Sequence, residues 1–154
     1  MTDHHNSVDA TGRQALMRVC AEATVEELAS ALADCRGSAD AEDVRPPEAG
    51  LVMLRGRIGG DGAPFNVGEV TVTRAVVRLA GGTLGYAYLL GRSAERARLA
   101  AIVDALGQNE MCRARLETAL VAPVRARREA GLTRQREEAA ATRVNFFTLV
   151  RGED

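Results

Sequence analysis

The stretch Glu69-Val-Thr-Val-Thr-Arg74-Ala-Val-Val-Arg78-Leu-Ala-Gly81-Gly82-Thr-Leu-Gly-Tyr86-Ala-Tyr88-Leu-Leu90 decides the fold class. β-Branched and aromatic residues dominate both halves, and Gly81-Gly82 supplies a turn between them. The segment therefore reads as two antiparallel strands, over 69–79 and 83–90. In the second strand Leu84, Tyr86, Tyr88 and Leu90 share one face, while Gly85 and Ala87 keep the other flat. In the first strand Val70 and Val72 lie on one parity and Val77 and Leu79 on the other, so the phase slips near Arg74. A β-bulge there, or a strand covered on both faces, accounts for the slip.

Upstream, Gly59-Gly60-Asp61-Gly62 reads as a loop. Leu51 to Ile58 reads as a further strand, with Val52, Leu54 and Ile58 on one face and Arg55 and Arg57 on the other. The expected sheet is an antiparallel meander of about three to four strands. Pro46-Pro47 forbid helix and separate the meander from an N-terminal helical hairpin. That hairpin is carried by a first stripe of Leu16, Val19, Cys20 and Ala23, then by a capping box at Thr24-Val-Glu-Glu27. A second stripe of Val25, Leu28, Ala29 and Leu32 follows and stops near Gly37. Downstream, Ser93 caps a helix whose buried stripe is Leu99, Ile102, Val103 and Leu106. A short helix near Met111 to Val121 is expected to be interrupted before Pro123, and a polar, Arg-rich helix follows over 124–142.

The fold class is thus α+β: helical hairpin, meander, C-terminal helices and an apolar tail. Residues 1–9 are expected to form a flexible N-terminus, 10–142 a single α+β domain, and 143–154 a docking tail with Phe146, Phe147 and Leu149 as the partner-docking candidates. Folding back as an edge strand of its own sheet is the equal alternative for that tail.

Composition sets outer limits. The chain has 154 residues, 46% hydrophobic and 27% charged, with only three Phe, two Tyr and no Trp. Its core is expected to be small and aliphatic, with modest surplus stability. All 20 basic residues are Arg, so lysine Schiff bases, pyridoxal-phosphate lysines and Walker-type lysines are excluded. Residues 1–50 balance to −6 and residues 51–154 to +5, an asymmetry that suggests contacts with separate neighbours or self-complementary packing. No apolar run reaches the roughly eighteen residues of a membrane span, and no leader precedes the ordered part, so a cytoplasmic location is expected.

Chemistry-bearing motifs are few. Cys20, Cys35 and Cys112 are widely spaced, without a CxxC pair, and His4 and His5 lie at the terminus. No metal-ligand set and no Ser/His/Asp or Cys/His arrangement can be assembled, so no catalytic residue and no bound cofactor are expected in this chain. Arg125, Arg127, Arg128, Arg134 and Arg136 are interleaved with Glu129, Glu137 and Glu138 and lack aromatics, which fits a solvated face or a protein interface and not a nucleic-acid site. Glu69, Arg74 and Arg78 are the unusual charges, set on an otherwise apolar strand. A structural Glu69–Arg74 or other arginine–carboxylate network is one reading. The sharper one has Arg74 and Arg78 presenting planar forks to a phosphate or phosphonate.

Phe65-x-x-Gly-Glu69, Thr73-Arg74, Gly82-Thr-Leu-Gly-Tyr86, Gly91-Arg92, Ala101-Ile-Val-Asp-Ala-Leu106 and the ending Arg143-Val-Asn-Phe-Phe-Thr-Leu-Val-Arg-Gly152 together resemble the PhnG family of the phosphonate carbon–phosphorus lyase system. Ser93 departs from the family pattern, in which an acid follows Gly-Arg. The resemblance implies a subunit that assembles with PhnH, PhnI and PhnJ and works with the ATPase-like PhnL. It also implies a reaction in which the adenine of MgATP, the substrate of the complex, is replaced by an alkylphosphonate at the anomeric carbon. It places the principal catalytic machinery on PhnI, leaving this chain an accessory role that orders the complex and lends an arginine, or alternatively a purely structural scaffold role.

Overall fold

A computed structural model describes residues 5–33, 35, 40–59 and 61–142. Helix α1 (His5–Glu22) and α2 (Val25–Ala33) form the N-terminal hairpin, and α1 takes in residues 5–9. The capping box closes as its chemistry requires. The Thr24 N–H donates to Glu27 Oε2 at 2.8 Å and the Glu27 N–H to Thr24 Oγ1 at 3.2 Å, satisfying two donors that a helix start leaves unpaired.

Strands β1 (Glu42–Arg57), β2 (Pro64–Arg78) and β3 (Leu84–Leu90) form one antiparallel sheet in the order β1-β2-β3. β1 starts nine residues earlier than its apolar pattern, which begins at Leu51, and runs through Pro46-Pro47. Proline is tolerated there because β1 is an edge strand and because the register shifts between Arg45 and Glu48. β2 pairs with β3 without interruption from Val72 to Arg78. The irregularity opposite Arg74 therefore lies in β1, and the phase slip in β2 has the second explanation. Val72 and Thr73, which point to opposite faces, are both buried.

Helix α3 (Ala94–Leu106) lies across the inner face of β2 and β3, capped by Ser93 Oγ accepting from the Arg96 N–H at 3.3 Å. Ala97, Ala100, Ala101 and Ala105 are buried on it, beside Ile102, Val103 and Leu106. Gly85 on β3 completes the fit, since a Cβ there would stand 2.0 Å from the Ala101 carbonyl oxygen. Helix α4 (Glu110–Leu116), a π-helical turn (Glu117–Val121) and α5 (Ala122–Ala141) follow as one continuous run. The expected interruption before Pro123 does not occur. Proline cannot donate to the preceding turn, and its ring crowds a normal α-turn; the wider turn, with the Ala122 N–H bonded to the Glu117 carbonyl, makes room for it.

The core sits between the inner sheet face and the helices, around Leu28, Val77, Leu89, Ile102, Leu116 and Leu120. No aromatic ring is buried among the described residues, as the composition implies. Among the described residues no helix is long and apolar enough to cross a membrane.

Candidate functional site on the outer sheet face

The described helices pack on one side of the sheet. On the other, antiparallel pairing aligns side chains in rows: Leu90, Val72 and Gly50; Tyr88, Arg74 and Glu48; Tyr86, Val76 and Arg45; Leu84, Arg78 and Glu42. Tyr86, Tyr88 and Leu90 are exposed on this face because their strand neighbours Gly85, Ala87 and Leu89 are committed to α3. Arg45 and Glu48, three residues apart, would normally point to opposite faces. The extra residue in the register shift at Pro46-Pro47 turns both outward.

A concavity of about 490 Å³ opens here, lined by Met17, Arg45, Arg74, Val76, Tyr86 and Tyr88 among others. Glu48 lies between its two arginines, with Oε1 2.6 Å from Arg74 Nε and 3.6 Å from Arg45 Nε. One carboxylate thus faces two guanidinium groups, leaving a net positive charge over an aromatic and aliphatic floor. Such a floor with one surplus guanidinium suits an anion attached to an apolar or planar group.

Arg74 therefore belongs to an arginine–carboxylate network, but its partner is Glu48. Glu69 is opposite Met53 and, at odd parity, on the reverse face of the sheet from Arg74, so the two do not pair. Arg78 shares the face with Arg74 but lies two rows away, about 13 Å along the strand at ordinary strand rise, and is 3.8 Å from Glu42. The structure brings Arg74 together with Arg45, not with Arg78. Phe146, Phe147 and Leu149 lie outside the described residues.

The acidic residue with the most elaborate surroundings is Asp104, buried on α3. Arg13 donates to both its oxygens, at 2.7 Å from Nε and 2.6 Å from Nη2, and the Tyr86 backbone N–H donates to Oδ2 at 2.8 Å. The Arg13 guanidinium also lies over the Tyr86 ring, 5.6 Å from its centroid. Its hydrogen bond to Asp104 holds the guanidinium above its ordinary pKa. Asp104 is thereby engaged in tying α1 to the edge of β3. Further along the same edge, Arg96 Nη2 donates to the Leu90 carbonyl at 2.6 Å and Gln108 Nε2 to the Leu84 carbonyl at 2.7 Å. Burial pushes the Cys20 thiol up to about 12, so it stays protonated.

Sequence reading singles out Arg74 but not Arg45 or Glu48, whose convergence depends on a register shift across two prolines. The alternation of Tyr86 and Tyr88 against Gly85 and Ala87 is the signal that marks the face. Among the described residues no cluster of His, Cys, Asp and Glu suits a metal ion.

Taken together, these features define a small two-layer α+β protein in which the described helices pack on one sheet face and leave Arg74, Tyr86 and Tyr88 exposed on the other, the form expected of a component that works against another surface. The family model described as phosphonate metabolism protein PhnG matches residues 11–152, and the chain belongs to that family. It is also 51% identical, over 157 aligned positions covering all of both chains, to the alpha-D-ribose 1-methylphosphonate 5-triphosphate synthase subunit PhnG of Rhizobium meliloti (strain 1021).

Proposed function

We propose that this chain is a subunit of an alpha-D-ribose 1-methylphosphonate 5-triphosphate synthase, the carbon–phosphorus lyase core assembly of phosphonate catabolism. It helps transfer the ribose triphosphate moiety of MgATP to an alkylphosphonate with release of adenine. The observation that carries the reading is the end-to-end match with a protein bearing that name. Its companions are the PhnH, PhnI and PhnJ subunits and the accessory PhnL, in the cytoplasm. The chain is an ordering component that does not carry the chemical step, and it binds no cofactor of its own.

Within that assembly, Arg74 and Arg45 supply a guanidinium pair that Glu48 neutralises by half, suited to an oxygen of the phosphonate or triphosphate. A scaffold with no substrate contact is the second reading. It is favoured by the 2.6 Å contact between Arg74 and Glu48, which already gives the guanidinium a carboxylate. The test is adenine release from ATP by the co-purified complex, in the presence of methylphosphonate. The complex without this chain is expected to lose activity. Arg74→Met is expected to assemble normally and to lower turnover about 10-fold or more. Normal turnover by that variant supports the scaffold reading, and full activity without the chain refutes the proposal.

A further inference from the structure

Beyond Val72, β3 no longer accompanies β2, and the ends of β1 and β2 continue as a two-stranded ribbon, 51–57 against 64–71. Such a ribbon is marginally stable in water unless something packs on it. Its faces carry apolar side chains on both sides. Leu51 and Met53 point to the inner side, beyond the reach of α3. Leu54 points outward, with Phe65 and Val67 beside it, because a Cβ at Gly56 would meet Val67 Cγ2 at 2.7 Å and the Phe65 ring at 4.0 Å. These five side chains are 42–60% exposed.

We infer that this ribbon is an insertion arm, clasped in an apolar, acid-rimmed cleft of a different subunit of the assembly proposed above. Three observations select that occupant. Apolar exposure on both faces requires a concave partner, since a flat sheet or a second copy laid on one face leaves the other wet. The ribbon's arginines face no acid directly across the strand pair: Arg55 faces Asn66 and Arg57 faces Pro64, while the ribbon's own carboxylate, Glu69, faces Met53. Arg55 makes no ion pair among the described residues, so charge complementarity calls for carboxylates at the cleft rim. The edge facing away from the ribbon is closed by Asp104, Gln108 and Arg96, whereas no side chain caps the β1 edge along the ribbon among the described residues.

The inference rests on the proposed subunit role, and the test separates the two. Full-length variants Leu51→Thr/Met53→Thr on one face and Leu54→Thr/Val67→Thr on the other replace exposed side chains with good strand formers, so the isolated chain keeps its circular dichroism and melting profile. Each pair is expected to weaken co-purification with the remaining synthase subunits at least 10-fold, and Arg55→Glu to weaken it more at low salt than at high salt. Wild-type incorporation with undiminished incorporation of both ribbon pairs overturns the arm while leaving the subunit role intact. Loss confined to one pair overturns the two-sided cleft, and self-association of the wild-type chain abolished by the same pairs points to a second copy instead. A wild-type chain that fails to join the other subunits overturns the subunit role and the arm with it.

Discussion

Adding a single methyl group at Gly85 tests the close approach of helix and sheet on which the outer face depends. In an open strand, Gly→Ala stabilises by about 0.5–1 kcal/mol, because alanine loses less conformational freedom on folding. Here the added Cβ would lie 2.0 Å from the Ala101 carbonyl oxygen, 2.7 Å from Ala105 Cβ and 2.8 Å from the Ala105 nitrogen. Two of these are backbone atoms and cannot rotate away, so α3 must retreat by about 1 Å to restore contact distances. A retreat of that size loosens the packing of Ala97, Ala101 and Ala105 and disturbs the Tyr86–Asp104 hydrogen bond. Overpacking of this kind costs about 1–3 kcal/mol, with backbone collisions at the upper end. After the local gain is subtracted, Gly85→Ala is expected to lose about 2 kcal/mol and to melt about 4–8 °C lower in a chain of this size. Urea denaturation followed by far-UV circular dichroism measures it. Gly50→Ala is the control: nothing lies within 4 Å of its Cβ, and it is expected to be neutral or slightly stabilising. If Gly85→Ala is as stable as Gly50→Ala, α3 does not pack on β3 at the distance described.

Further expectations follow from the ion pairs and thiols. Arg13→Met leaves the buried Asp104 carboxylate with only the Tyr86 N–H and is expected to cost about 1–3 kcal/mol; an unchanged urea midpoint would show the pair to be idle. Glu27 is held below its ordinary 4.5 chiefly by the hydrogen bond from Arg127. A lowered carboxylate contributes stability above the unfolded pKa and loses it as pH falls through the folded value. The stability gap between wild type and Glu27→Gln should therefore be present at neutral pH and close below 4.5; a gap independent of pH would contradict the assignment. Native protein at mildly alkaline pH should label first at Cys112, with Cys20 and Cys35 reacting only in denaturant. Rapid native labelling of Cys20 would contradict its burial.

What the sequence reveals and what it hides divide along chain separation. The 69–90 hairpin, the Thr24–Glu27 box and the Ser93 cap are legible because their partners lie within a few residues. The flat side of β3 is equally plain, since Gly85 and Ala87 alternate with Tyr86 and Tyr88. The partner of Asp104 is not legible: Arg13 stands 91 residues away, and nothing local announces it. Glu69 is a reasonable partner for Arg74 by proximity in sequence, but strand parity places it on the wrong face. Glu48, 26 residues off, takes the position through a bulge no pattern shows. Proline misleads twice in the same way, at Pro46-Pro47 and at Pro123. The rule that it ends elements assumes regular geometry, and here an edge position with a register shift and a π-turn supply exceptions.

The contrast between the two borders of the sheet has a consequence for how far any assembly can grow. A sheet with two bare borders can add copies at either side without limit and so make fibres. Among the described residues, Asp104, Gln108 and Arg96 occupy polar groups along one border, which leaves the β1 border as the place for a newcomer. Growth by strand addition stops after one event, which makes the protein suited to closed complexes of fixed size and ill suited to polymerisation.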